Sequence, residues 1–222
     1  MKILVFDTET TGLPEKNSSI YEHDKWPHIL QISYILYDSS TNDVSITDEY
    51  IKINDSVEIT QESYQIHHLT REFLNEKGRH IIPVLNDFNK VLKRCDVVVG
   101  HNISFDKRMV YVECLRNKVT LNFTTFRGKN RINKPEYCTM KNTKELCNII
   151  KKDKLDKPYL KNPRLIELYL TLFPEKNLPE DLHNSLVDIL ITLRCYIKIN
   201  NKINITDIND KIKNLFLKYN CL

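Results

Sequence analysis

Asp7-Thr8-Glu9 is the only Asp-x-Glu in the chain. It follows a short apolar run, Ile3 to Phe6, that reads as a strand stopping at a polar turn from Asp7 to Gly12. Along an extended chain residues i and i+2 point the same way, so both carboxylates face one side of a sheet. A second acidic position, Asp106, closes the segment Gly100-His101-Asn102-Ile103-Ser104-Phe105-Asp106. Asp96 to Gly100 has the pattern of a brief buried strand, and Asn102 suits the N-cap of a helix running to about Arg116. Asp106 then falls in the first helical turn, aimed back over the carboxyl end of the neighbouring strand. The third cluster is His183-Asn184-Ser185-Leu186-Val187-Asp188. Asn184 is its N-cap and Asp188 lies one turn in, while His183 stands just outside the helix and can swing to the side of Asp188.

Each cluster alone has an ordinary reading: a solvated turn after a strand, an acid offsetting a helix dipole by roughly 0.3–1 kcal/mol, a surface histidine. If the three elements are neighbours in one sheet, four carboxylates converge. Two charges about 4 Å apart repel by roughly 4 kcal/mol at an effective dielectric near 20. Such a group calls for cations, and carboxylate oxygens with room for water and phosphate suit Mg²⁺ or Mn²⁺. This is the donor set of two-metal phosphodiester hydrolysis.

The elements that must position these side chains follow from periodicity. Ile29 to Tyr37 and Val44 to Ile53 read as two further strands joined by the polar stretch Asp38 to Asp43, giving three consecutive antiparallel strands. Pro14 to Pro27 reads as loop. Ile81, Val84, Leu85, Phe88 and Leu92 recur at helical spacing, Pro163 opens a helix that Pro174 ends, and Leu186, Ile189, Leu190, Leu193 and Ile197 form the cleanest apolar stripe. Thr206 suits the cap of a last amphipathic helix, about 206–219. Strands first, then strand–helix alternation, predict an α/β fold with a mixed sheet and packed helices, in a single domain over 1–222.

Composition narrows the classes. Hydrophobic residues make up 41% and charged residues 28% of the 222, enough for a core and against disorder. Lysine and arginine exceed aspartate and glutamate by 33 to 29, a mild excess that permits a polyanionic partner. No run approaches the roughly 18 apolar residues of a membrane span, and the start of the chain does not read as a signal peptide. The six scattered cysteines have no paired spacing, so reduced thiols in a cytoplasmic or nuclear setting are expected. Two basic stretches stand out. Arg127, Lys129, Arg131 and Lys134 are interleaved with Phe123, Phe126 and Tyr137, which suits either single-strand binding or a solvated loop. The lysine-rich Lys151 to Lys161 reads as a solvated surface.

Phe6-Asp-Thr-Glu-Thr-Thr-Gly-Leu13, Gly100-His-Asn-Ile-Ser-Phe-Asp106 and His183-Asn-Ser-Leu-Val-Asp188 resemble, in order, the three motifs of the DnaQ-like (DEDDh) 3′→5′ exonucleases. The likeness is closest to the ε-type proofreading exonuclease of DNA polymerase III and its stand-alone relatives, and it spans about 1–199. It implies a ribonuclease-H-like fold and hydrolysis of 3′-terminal phosphodiesters to nucleoside 5′-monophosphates, with two Mg²⁺ ions that Mn²⁺ replaces. By motif, Asp7, Glu9, Asp106 and Asp188 are the implied metal-binding carboxylates and His183 the general base. In one arrangement one ion would sit with Asp7 and Asp188 and the other nearer Asp7, Glu9 and Asp106, the division of ligands between the two staying open. Thr8, Thr10, Asn102 and Phe105 would line the 3′-nucleotide pocket, with Leu13 as a wedge against the terminal base. His67, in Ile66-His67-His68-Leu69, is similar to the family's His-Gly-Ile segment, His68 standing where glycine is usual. The partners implied are DNA 3′ ends, alone or beside a polymerase in proofreading or repair, for a monomer or homodimer. RNase T-like or oligoribonuclease-like action on RNA is the alternative substrate, and an inactive nucleic-acid- or polymerase-binding module the alternative class.

Overall fold

The computed structural model describes residues 1–127, 129–175 and 184–219. Its centre is a five-stranded mixed sheet. β1 (Lys2–Thr10), β2 (Ile29–Asp38) and β3 (Asp43–Tyr50) pair antiparallel, as their turn chemistry predicts. β4 (Val97–Gly100) and β7 (Glu136–Cys138) add in parallel, giving the order β3-β2-β1-β4-β7. β1 runs through Asp7 and Glu9 instead of stopping before them, so the acidic pair lies within the strand, opposite Ser33 and Gln31 of β2.

Alternation along β1 divides the core. Ile3 and Val5 face one layer, built from α7 (Leu165–Leu172), α8 (Ser185–Asn201) and α9 (Asp210–Lys218). Leu4 and Phe6 face the other, built from α3 (Ile81–Arg94) and α4 (Ser104–Arg116), where the rings of Phe6, Phe88 and Phe123 meet at 5.1–6.2 Å. Arg194 of α8 is fully buried, its guanidinium 4.4–5.5 Å from the rings of Tyr169, Phe173 and Phe216, which ties α7 and α9 to α8. Cys95, Cys114, Cys138 and Cys195 are buried free thiols.

Several local expectations change. Residues 61–77 hold two short helices that periodicity does not show, α1 (Gln61–His67) and α2 (Arg71–Lys77), capped by the hydroxyls of Thr60 and Thr70. α1 buries none of its residues, so it has no apolar stripe to read. A Cβ at Gly78, just after α2, would sit 2.4 Å from the Leu74 carbonyl, so only glycine allows the chain to pass Ile51 there. The basic stretch after residue 123 is the hairpin β5 (Thr124–Arg127)/β6 (Asn130–Asn133), and the lysine-rich stretch is the hairpin β8 (Ile150–Lys152)/β9 (Pro158–Leu160). Two four-residue helices, α5 (Thr139–Asn142) and α6 (Lys144–Cys147), precede the second hairpin. The last helix is capped by Asn209, not Thr206. The Asn209 carboxamide oxygen accepts from Ile212 N–H at 3.1 Å, while Thr206 is buried in a 3-10 turn, Ile205–Asp207.

Candidate active site

The pleat of β1 sends its polar end to two sides. Asp7 and Glu9 share the face of Ile3 and Val5, toward α8; Thr8 shares the face of Leu4 and Phe6, toward α4. Asp188 enters from the first turn of α8, and carboxylate oxygens of Asp7, Glu9 and Asp188 lie within 4.8 Å of one another. Asp106 enters from the first turn of α4 on the opposite side. It is 3% exposed, and its Oδ1 accepts from the Thr8 hydroxyl at 2.8 Å and the Thr8 N–H at 3.1 Å. The three motifs thus meet around one stretch of strand. Strand alternation puts Glu9 with Asp7 and Asp188 on the α8 face, and the charge of Asp106 still reaches it.

A polar ladder fixes α8 against this strand, and sequence reasoning did not single out its members on β2 and β3. Gln31 and Ser33, buried on β2 opposite Glu9 and Asp7, both donate to Asp48 Oδ1, at 2.8 and 2.7 Å. The Ser33 and Ser185 hydroxyls are 2.5 Å apart, and Gln31 donates to Asn184 Oδ1 at 3.3 Å. Asn184 is the N-cap of α8 as expected, accepting from Leu186 N–H at 3.0 Å. The available signal was two polar residues inside an otherwise apolar strand. His183 lies outside the described residues.

Crowding raises the acids. Burial, then the charges of Asp106, Asp188 and Glu9, hold the Asp7 carboxyl far above the ordinary carboxylate range. Burial, then Asp188 and Asp106, push Glu9 up to about 8. Burial raises Asp106 to about 7 against the opposing Thr8 hydrogen bonds. Hard oxygen donors this close, resisting ionisation for want of a counter-charge, fit a divalent cation such as Mg²⁺ or Mn²⁺. Asp7, Glu9 and Asp188 would hold it, with Asp106 beside Thr8 as the further carboxylate.

Raised acids keep their protons in the folded chain and lose them on unfolding, so the metal-free fold loses stability as pH climbs from about 4.5 through about 8. Thermal melts in EDTA should fall by several degrees across that window, and millimolar Mn²⁺ should remove most of the decline. A melting temperature that is flat or rising with pH in EDTA would refute the crowding.

Two cavities flank the carboxylates. One, about 400 Å³, is lined by Thr8, Glu9, Thr10, Leu13, His67 and Phe105, which brings together five of the six residues expected to bind substrate. Leu13 is 83% exposed at its edge, free of core packing. Thr60, Glu62, Ser63 and Ile66 of the α1 region complete the wall. The His67 Nδ1 accepts from Leu69 N–H at 3.0 Å, which leaves Nε2 to donate to the Thr10 carbonyl at 3.2 Å. Both ring nitrogens are therefore held by backbone, and burial lowers the pKa of the ring. His68 takes φ 57°, the left-handed conformation that glycine adopts readily.

The sixth residue, Asn102, lies elsewhere. It is not an N-cap in the extended conformation; its φ of 65° puts it in a left-handed turn ahead of α4. It lines the second cavity, about 460 Å³, with Asp7, Asp188, His101, Arg164 and others. The basic–aromatic reading of residues 123–137 loses two of its aromatic partners. Phe123 is fully buried, and Tyr137 packs edge-on against Tyr196 at 5.0 Å. Lys134 is bound to the carbonyls of Lys93 and Cys95.

Comparison with solved structures gives the same fold in exonuclease I. An Escherichia coli exonuclease I in complex with a dT13 oligonucleotide is 16% identical with a TM-score of 0.64, covering 90% of this chain and 42% of that one. The zinc-ion-bound form of an E. coli exonuclease I–ssDNA complex is 17% identical with a TM-score of 0.63, over 90% and 41% of the two chains. The exonuclease I of the moderate thermophile Methylocaldum szegediense is 16% identical with a TM-score of 0.58, over 93% and 42%. The chain thus spans less than half the length of these proteins. No curated protein sequence matches it. Residues 4–196 match the RNase T family model, described as an exonuclease. With that match running from the first strand through most of α8 and taking in all three acidic segments, the chain belongs to this exonuclease family.

Proposed function

We propose that this chain is a divalent-metal-dependent 3′→5′ exonuclease of the DEDDh type, acting as one domain on DNA 3′ ends and releasing nucleoside 5′-monophosphates. The observation that carries this is an adjacency: Glu9 belongs both to the three-carboxylate cluster and to the wall of a cavity of about 400 Å³, the size of a small-molecule site. A terminal nucleotide seated there brings its 5′ phosphate to the carboxylates. Thr8 and Thr10 line the pocket, while exposed Leu13 and half-buried Phe105 offer apolar surface to the base and sugar.

When bound, divalent ions supply Lewis acidity at the phosphate oxygens and lower the pKa of the attacking water. His183, directly before the Asn184 cap, takes the proton of that water; an imidazole with an ordinary pKa of about 6.5 suits this near neutral pH. The leaving 3′ oxygen departs with the shortened strand. DNA as substrate is supported by the DNA oligonucleotides held in exonuclease I complexes, and the likeness to proofreading enzymes is carried by the three motifs.

The test is digestion of 3′- and 5′-labelled DNA and RNA, single- and double-stranded, with Mg²⁺, Mn²⁺ or EDTA. Stepwise loss from the 3′ end of DNA, with 5′-monophosphates as product and no reaction in EDTA, is expected. Faster loss from RNA transfers the assignment to an exoribonuclease. Strands left intact with either metal leave only the binding-module alternative.

A further inference from the structure

The lysine-rich hairpin is built onto the catalytic cavity. Its base closes where Lys161 N–H donates to the Ile149 carbonyl at 2.8 Å, and the next residues, Asn162 to Arg164, form a wall of the cavity that contains Asp7 and Asp188. This wall is anchored from both sides. His101 Nε2 is 3.1 Å from the Pro163 carbonyl, and Lys161 bridges to Glu167 at 2.6 Å. The Arg164 side chain is 74% exposed at the cavity mouth, with Glu167 as its ion-pair partner at 3.3 Å.

Charge is concentrated here. Residues 150–164 carry six basic and two acidic side chains, a net of +4, equal to the net charge of the whole 222-residue chain. Lys152 pairs with Asp156, but Lys151, Lys154 and Lys157 are exposed and their ammonium groups make no ion pair or hydrogen bond among the described residues. The antiparallel register sets Lys151 directly opposite Tyr159, which places both on one face of the ribbon, and Tyr159 is 47% exposed. An unpaired cation beside an exposed ring suits a single strand: phosphate on the ammonium, base on the ring. An acidic cavity repels phosphate, so a basic arm at its mouth offsets the repulsion for a polyanion that must enter it.

We propose that the β8–β9 hairpin, with Arg164 at its base, is a backbone-binding arm that holds the nucleic-acid strand beyond its terminal nucleotide. The proposal deepens the nuclease reading and rests on it for the direction of the strand. Substrate preference then follows length: contacts outside the terminal-nucleotide pocket reward long single strands over very short ones.

The test measures binding and cutting separately. The full-length protein and the variant Lys151→Ala/Lys154→Ala/Lys157→Ala/Tyr159→Ala are titrated against a labelled single strand of about twenty nucleotides, by anisotropy in EDTA. Lys90→Ala/Lys93→Ala, on α3, serves as a control of equal type. The arm variant should bind at least about tenfold more weakly, and its slope of log affinity on log salt should shrink by about 2, from three lost phosphate contacts at roughly 0.7 each. The control should stay within about twofold. With Mn²⁺, KM for the long strand should rise in the arm variant, and the ratio of KM values between a trinucleotide and the long strand should collapse. Unchanged affinity and salt slope in the arm variant overturn the proposal, as does an equal loss in the control. A wild-type protein that binds through the arm but never shortens the strand overturns the nuclease reading and leaves the arm standing.

Discussion

Asp7→Asn should abolish cleavage while making the metal-free fold more stable. Asp7 is the carboxylate that the other three crowd: the charges of Asp106, Asp188 and Glu9 all act on it, and its oxygens lie with those of Glu9 and Asp188. A carboxamide has nearly the same shape but one neutral nitrogen in place of an anionic oxygen, so it would be a much poorer donor to a divalent cation held there. Loss of a shared ligand in metal-assisted phosphoryl chemistry should lower kcat on the order of 10⁴-fold or more, roughly 5 kcal/mol of barrier. The same change removes repulsion from the ion-free site. In EDTA the variant should therefore melt several degrees above the wild type near pH 8. The gain should shrink toward pH 5, where the wild-type carboxyl keeps its proton when folded. Mn²⁺ should raise the wild-type melting temperature and leave the variant nearly unmoved. A variant that retains more than about a hundredth of wild-type activity, or melts lower than wild type at pH 8, would show that Asp7 is not the shared ligand.

The acidic positions were legible in the sequence because they follow from local rules. A period of two put Asp7 and Glu9 on one face, and a helix start put Asp106 and Asp188 one turn in. The same period sends Thr8 to the other face, where its hydroxyl meets Asp106. The antiparallel trio β1 to β3 and the brief strand β4 followed from turn chemistry and apolar runs, whereas β7 and its place beside β4 had no such signal. The far wall of the nucleotide-sized cavity was not legible, because α1 is a seven-residue helix with no buried face, held by the Thr60 cap and by Ser63 donating to the Thr10 carbonyl at 2.9 Å. Its apolar residue Ile66 lines this cavity and not the core, so no periodic signal is left in the chain. Asn102 misled for a related reason. Asparagine suits both an N-cap and a left-handed turn, and here it takes the second. The lysine-rich stretch is exposed surface as expected; that its base joins a cavity wall nearly 160 residues from Asp7 is a tertiary fact with no local signal.

His183→Ala should separate chemistry from metal binding. Asp7, Glu9 and Asp188 already supply the close carboxylate group without it, so the variant should keep the wild-type gain in melting temperature on adding Mn²⁺. It should also keep wild-type affinity for a single strand in EDTA. Cleavage should fall by about 10²–10⁴-fold, the usual contribution of a positioned general base, and so leave measurable activity where Asp7→Asn leaves essentially none. The remaining rate should depend differently on pH. The wild type should lose activity on the acid side as the imidazole protonates, whereas the variant should show no rise attributable to an imidazole and should gain rate as hydroxide becomes available. His183→Gln, which restores a hydrogen-bonding side chain without a titrating base, should not restore the rate. Activity retained in full would remove the histidine from the reaction. A loss as deep as that of Asp7→Asn, accompanied by loss of the Mn²⁺ stabilisation, would make it a structural or metal-holding residue instead of a base.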